Sequence, residues 1–212
     1  MAQADPGTLT RAQRRKAQTR RSLIGAAQQL MAQGRTAVSV LDITSLADVG
    51  NGSFYNHFST KEELFEAAVL AVVEDHGELL DDLTDGVDDP AQAFTQSFRL
   101  TGRLHRRYPE LSRVVVNYGL SVLSADDSGL LPRARRDVEA AISAGRFVAT
   151  DIDAALAVVA GATLTLALLL HDQPARDDGA TTDTVTAHVL RALGVSEDEA
   201  AALISLPLPA WD

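Results

Sequence analysis

Through nearly the whole 212-residue chain, apolar residues recur every three to four positions, and strand-like alternation is almost absent. That period is one face of an α-helix, so it restricts the chain to helices packed on helices, an all-α class. From Arg14 to Gln33 the residues Leu23, Ile24, Ala27, Leu30 and Met31 form one stripe, and Gly34 follows as a helix stop. Ser39, with Asp42 three residues later, opens a second helix carrying Val40, Ile43 and Ala47. A break at Asp48–Gly50 leads into a short helix over Asn51–Phe58, and Ser59–Glu62 reads as another capping box. A long helix is expected from about Thr60 towards Leu80, then an acidic linker marked by Gly and Pro from Asp81 to Pro90. Further helices are expected near 90–107, 109–124, 130–146, 151–172 and 181–204, the last open to a break at Gly194.

Composition removes several function classes. Apolar residues make up 46% and charged residues 23%, as in ordinary globular chains. Cysteine is absent, which excludes disulfide scaffolds, thiolate zinc sites and cysteine nucleophiles. Met1 to Arg21 is charged with no apolar run behind it, so no secretory signal is read there. The uncharged stretch Ala154–Leu170 has 17 residues, short of the ~20 a bilayer crossing needs. A soluble, cytoplasmic protein is expected, with no membrane partner.

The net charge of −10 argues against nucleic acid only until its distribution is read. Residues 1–36 hold seven basic groups against the single acid Asp5. Residues 66–212 hold 11 basic and 24 acidic groups. Any surface that meets a polyanion therefore lies at the N-terminal end, and the acidic remainder would be held off it.

Three short helices with a three- or four-residue turn between the second and third make a helix-turn-helix. Val40, Ile43, Ala47 and Val49 supply the apolar staple, with Phe54 and Phe58 behind it. The face left over is Asn51, Ser53, Tyr55, Asn56 and His57, all able to hydrogen-bond and none acidic. Such a face suits the major groove, where an acid near phosphates is costly. Phe58 is assigned to the core; Tyr55 is open to core or groove, and His57 alone would read as a surface histidine. A basic first helix is also compatible with a merely solvated face.

Residues 20–65, centred on the run Ser39 to Phe58 and followed by Lys61-Glu-Glu-Leu-Phe65, closely resemble the TetR family of transcriptional regulators. The run Ser53-Phe-Tyr-Asn-His-Phe58 with Lys61-Glu-Glu-Leu64 is its most specific part. The resemblance implies that Tyr55, His57 and Lys61 clamp phosphates, that Ser39 reaches one, and that Ser53 bonds a phosphate or a base edge. It places Asn51, Gly52 and Asn56 towards the groove floor, where an asparagine can bond adenine in bidentate fashion. Arg14, Arg15 and Arg20, within the basic stretch Arg11–Arg21, would form an arm in or beside the minor groove.

Two departures stand out. Where many relatives have Ala-Gly-Val-Ser, this chain has Ala47-Asp-Val-Gly50, so the turn must form on Asp48 and the recognition helix must start on Gly50, an acceptable but weaker cap than serine. Leu41 stands where relatives often carry an arginine that reads guanine, and it can contact a thymine methyl or simply pack.

The resemblance implies a head of residues 1–65 and a ligand-sensing, dimerising body of residues 66–212. Ile152–Leu170, apolar nearly all round, is expected to be buried on every side, paired with the helix near 181–204 in a two-fold homodimer interface. A central core helix in a monomer is the other reading. For an effector, Phe98, Thr101, His105, Asn117, Tyr118 and Thr165 are candidates, polar groups on otherwise apolar faces with an aromatic wall. His105, beside Arg106, Arg107 and Tyr108, also reads as the exposed end of a helix. The acids from Glu74 to Asp89, with His76, lack EF-hand spacing and read as a solvated linker. No histidine pair has metal-ligand i, i+4 spacing, and Gly50-Asn-Gly-Ser53 is neither a phosphate loop nor a nucleophile elbow. Neither enzyme activity, cofactor nor metal is expected. The expected function is a ligand-responsive repressor that releases a palindromic operator. An activator of the same fold is the alternative, or a small-molecule carrier or enzyme with a vestigial DNA-binding head.

Overall fold

The computed structural model describes residues 10–109, 112, 113, 116 and 130–210, and among these every regular element is helical. The chain divides into two units, Met1–Ala71 and Val72–Asp212.

In the first unit α1 (Arg11–Ala32) opens on a capping box, with the Thr10 hydroxyl accepting from Gln13 N–H and the Gln13 side chain accepting in return from Thr10 N–H. Its expected stripe is buried: Leu23, Ile24, Ala27, Leu30 and Met31 all face inward. The stop is a Schellman turn on Gly34, which adopts φ +70°; Gly34 N–H donates to Met31 O and Arg35 N–H to Leu30 O. Helix α2 (Val40–Leu46) begins with the Ser39–Asp42 box, Asp42 N–H to Ser39 Oγ at 3.1 Å and Ser39 N–H to Asp42 Oδ2 at 2.9 Å. Those bonds hold the Asp42 carboxyl below its ordinary pKa. Helix α3 (Asn51–Phe54) is only one turn long; single turns carry the chain on to Phe58, so the helix expected over Asn51–Phe58 is half that length. Helix α4 (Lys61–Thr84) is capped by Thr60 rather than Ser59. The Thr60 hydroxyl accepts from Glu63 N–H at 3.1 Å, and the Glu63 carboxylate takes Ser59 N–H at 2.6 Å. Ile43, Phe54, Phe58 and Leu64 are essentially sealed and make the small core.

In the second unit α5 (Pro90–Arg107) starts on an Asp89 cap with proline at its first position. It is followed by α6 (Leu130–Ser143), α7 (Ile152–Asp172), α8 (Asp178–Ala192) and α9 (Glu197–Ser205). Phe94, Phe98, Val138, Phe147, Leu156, Leu170 and Leu190 belong to one core, with Phe94 edge-on to Phe147 at 5.3 Å. α5 and α8 meet at backbone distance, since a Cβ on Gly102 would fall on the Thr182 side chain. Beside that contact Arg99 and Arg103 both donate to Asp183, and Arg99 Nη1 also holds Leu206 O at 2.7 Å, tying down the segment after α9.

Several expectations change. The linker expected from Asp81 begins later, because α4 continues to Thr84. Its acids are not merely solvated: Glu74 and Asp81 pair with Arg133. The helix expected over 181–204 is two helices, separated at Gly194 with φ +87°. Most of the segment expected to be helical over 109–124 lies outside the described residues. Helix α7 is not buried all round. Ala155, Leu156, Val159, Leu166, Ala167 and Leu170 face the core, whereas Ala154, Ala157, Val158, Gly161, Thr165 and Leu168 are exposed along one side. At 21 residues it is, among the described residues, the one helix long and apolar enough to cross a membrane by length and composition.

Candidate nucleic-acid interface and ligand cavity

The turn between α2 and α3 forms without the glycine usual in such turns. Asp48 takes φ +52°, and Asp48 N–H and Val49 N–H donate back to Ser45 O and Thr44 O, a Schellman turn in which a short polar residue tolerates the left-handed region. Gly50 caps α3 with no side-chain bond, so the first amides of that helix are left for solvent or another partner.

Ile43 and Ala47 staple α2 to Phe54, while Val40 and Val49 are only half-buried. The polar set faces out. Asn51, Gly52 and Asn56 are exposed, Tyr55 is 64% exposed, and Ser53 and His57 are half-buried. Tyr55 is thus no core aromatic, whereas Phe58 is. Leu41 is 62% exposed, an apolar side chain held in water next to the same face. Ser39 is exposed but already shares its hydroxyl with Asp42 at 2.7 Å. Lys61 Nζ donates to Val38 O at 2.7 Å, which fixes its ammonium beside the start of α2 with further N–H donors to give.

Arg14 and Arg15 are exposed on α1, and Arg20 stacks its guanidinium over the Phe58 ring at 5.0 Å. Partial burial, then the nearby charges of Lys16 and Arg20, push the His57 pKa down. Lys16, Arg20 and His57 therefore lie together as a site that prefers an added negative charge.

The second unit holds a cavity of about 100 Å³. Phe94 and Phe98 of α5, Leu130 and Leu131 of α6, Val159 and Leu164 of α7, and Val73 and Leu80 of α4 supply apolar walls. One end is charged. Arg133 forks onto Glu74 at 2.9 and 3.1 Å and reaches Asp81 at 2.8 Å, while Arg136 joins Asp81 at 2.7 Å to Asp137 at 3.0 Å. The Arg133 guanidinium lies flat on α4 over Gly77, where a Cβ would stand 2.5 Å from it. Burial pushes the Asp81 carboxyl up, but its bonds from Arg133 and Arg136 outweigh that and leave it below its ordinary value. Burial dominates at Asp137, whose carboxyl is pushed up despite Arg136.

Of the residues anticipated for an effector, Phe98 and Thr101 line this cavity. Thr165 does not: it is exposed on the opposite side of α7, its hydroxyl bonded to Gly161 O at 2.7 Å, and Thr163 lines the cavity in its place. His105 is 8% exposed rather than a solvated helix end, and it is not among the lining residues. Asn117 and Tyr118 lie outside the described residues.

Sequence reading missed the charged end because Asp81, Arg133 and Asp137 are contributed by helices about 50 residues apart. It missed a histidine cluster for the same reason. His76 Nε2 is 3.0 Å from Thr101 Oγ1; His105 Nδ1 and His171 Nε2 flank Ser112 Oγ at 2.8 and 3.0 Å. Burial lowers His76 to about 4, helped by Arg133, and His105 to about 3, helped by its histidine neighbours. Among the described residues no group of His, Asp or Glu has metal-holding geometry.

Residues 23–68 match the family model described as bacterial regulatory proteins, tetR family, and residues 89–205 match the tetracyclin repressor-like C-terminal domain. Among solved structures, RolR in complex with its ligand resorcinol is 31% identical, covers 93% of this chain and 98% of its own, and superposes with a TM-score of 0.68. RolR without ligand is 31% identical over 90% and 98% of the two chains, at 0.72. FadR from Bacillus subtilis in complex with stearoyl-CoA is 17% identical over 84% and 98%, at 0.66, and shares the fold. A search of curated proteins finds no match.

Proposed function

The chain belongs to the TetR family of bacterial transcriptional regulators, and on that premise we propose that it is a cytoplasmic homodimeric repressor that leaves a palindromic operator on binding a small hydroxylated aromatic molecule. Members of the family bind DNA and dimerise, and they are regulators rather than enzymes.

The observation that carries the effector half is the cavity. At about 100 Å³ it is of the order of the ~150 Å³ engineered cavity that takes up benzene, and far too small for an acyl chain on a coenzyme. Its walls are apolar and its polar groups gather mainly at one end, the pattern of a site that buries a ring and orients one or two substituents. A phenolic hydroxyl fits that end, donating to the Asp137 carboxylate while accepting from an arginine N–H. The likeness to RolR, which was crystallised with resorcinol, supports the same class.

The head, residues 1–65, reads DNA. Asn51, Gly52 and Asn56 meet base edges, and Ser39, Ser53, Tyr55, His57 and Lys61 hold phosphates. Leu41 offers an apolar contact to a thymine methyl, and Arg14, Arg15 and Arg20 line the minor-groove side. In the body, residues 66–212, the exposed side of α7 from Ala154 to Leu168 meets its copy in a partner subunit, together with α8. One dimer then presents two heads to two half-sites. Helix α4 carries Lys61 at its start and Asp81 at the cavity, so an effector that recruits Asp81 or Arg133 biases the helix that enters the head. It need only bind the non-operator arrangement better than the operator one.

The test is a gel shift with the DNA upstream of the protein's own gene, repeated with phenols and benzenediols. A shift that weakens steeply with salt and is reversed by a phenolic compound is expected. No shift in dilute buffer refutes the regulator; a shift indifferent to every phenol and diol refutes the effector class alone.

A further inference from the structure

The charged end of the cavity accounts for one polar substituent. A second polar point stands on α5, at Thr101, and its chemistry is set by a half-buried histidine on α4.

Thr101 lines the cavity, and its Oγ1 lies 2.9 Å from Ser97 O, one helical turn back, to which it donates. A hydroxyl has one proton, and both Ser97 O and His76 Nε2, at 3.0 Å, are within its reach; with the proton on Ser97 O, the contact to His76 runs the other way. His76 is the donor, a neutral ring protonated at Nε2. Desolvation lowers the ring's pKa to about 4 and keeps the imidazole uncharged near neutrality. Thr101 Oγ1 thus donates once and accepts once, and what it has left is a lone pair. Thr101 is 8% exposed, so a ligand group that meets this lone pair is out of water.

We propose that Thr101 is a specificity-determining residue that accepts a hydrogen bond from a second hydroxyl of an aromatic diol, with His76 as the positioning residue that holds its oxygen in the acceptor-only state. The inference rests on the aromatic effector proposed above and adds to it: the preferred effector carries two hydroxyls, one at the Asp137 end and one at Thr101, and the second must be a donor. A buried acceptor left unmet costs more than an average hydrogen bond contributes, so the cavity discriminates against a ring whose second oxygen has no proton.

The test measures calorimetric affinity of the full-length protein for catechol, resorcinol, hydroquinone, phenol and 3-methoxyphenol. The best of the three diols should bind roughly five- to tenfold more tightly than phenol, and 3-methoxyphenol no more tightly than phenol. Thr101→Val keeps the shape and removes the acceptor, so it should abolish the difference between the best diol and phenol; Thr101→Ser should restore the difference. His76→Leu removes the donor that fixes Thr101, and should narrow the gap between diol and 3-methoxyphenol. If Thr101→Val weakens phenol and diol equally, or neither, Thr101 is a wall and the inference is wrong. If the wild-type protein binds phenol but no diol more tightly, the inference is wrong while the aromatic effector stands. If it binds none of the five, both fall.

Discussion

His57 shows how a single side chain's setting becomes a measurable property. Its ring sits half-buried beside Lys16 and Arg20, and that partial burial, followed by the two charges, holds its pKa below the ordinary value. A phosphate placed there favours the charged ring, so binding DNA takes up a proton, and affinity should rise as pH falls from about 8 to about 6. His57→Gln should flatten that dependence, as read by fluorescence anisotropy across the range. On the proposed reading, Asn51 and Tyr55 make two kinds of DNA contact from one exposed face. Asn51→Ala should relax preference at one operator base by about 1–3 kcal/mol, whereas Tyr55→Phe should weaken operator and random DNA alike. Lys61→Ala should resemble Tyr55→Phe in binding but also lower thermal stability, because its ammonium braces Val38 O. Equal loss on all sequences for Asn51→Ala would remove it from base reading.

At the scale of the helix, glycines mark where elements approach more closely than side chains permit. On α4 a Cβ at Gly77 meets the far end of Arg133, a group that can move. Alanine there gains up to about 1 kcal/mol of helix propensity, so Gly77→Ala should leave the melting temperature near or above wild type while changing effector affinity through a displaced Arg133. On α5 the neighbour of Gly102 is Thr182, itself fully buried and unable to retreat. Gly102→Ala should therefore cost about 1–3 kcal/mol as overpacking, seen as a lower urea midpoint. α5 thus has two working sides: Phe94, Phe98 and Thr101 face the cavity, and Arg99, Gly102 and Arg103 lock onto α8.

For the whole molecule, histidines with lowered pKa values make stability a function of pH. His76 and His105 have folded pKa values of about 4 and about 3, below the ~6.5 of an unfolded chain, so the unfolded state binds more protons as pH drops. Stability is full above pH ~6.5 and falls below it, by about 1.4 kcal/mol per pH unit for each histidine, until the folded values are reached. Urea melts between pH 7.5 and 5 check this, and His76→Gln should make the slope shallower. The open side of α7 makes the complementary prediction for assembly. Gly161 is exposed with nothing near its Cβ position, so Gly161→Trp should fold as wild type yet sediment as a monomer and lose operator affinity.

Helices and their ends were legible because they are local. The Ser39 cap, the Gly34 stop and the stripe of α1 each depend on residues within a turn or two, and so does the head's segregation of Ile43, Phe54 and Phe58 from Asn51, Tyr55 and Asn56. The one-residue error at Ser59 and the overlong recognition helix are boundary effects of the same local rules. Periodicity could not say what an apolar face meets. α7 reads as uniformly apolar, yet one side packs in the core and the other stays open, a choice made by where α5 and α8 lie. Nor could spacing foresee that Asp81, Arg133 and Asp137 converge on a cavity, or that His76 finds Thr101. Hydrogen bonds and ion pairs act over a few ångströms, whereas Thr101 lies 25 positions from His76, and Arg133 and Asp137 lie 52 and 56 from Asp81, so only the packing of whole helices brings them together.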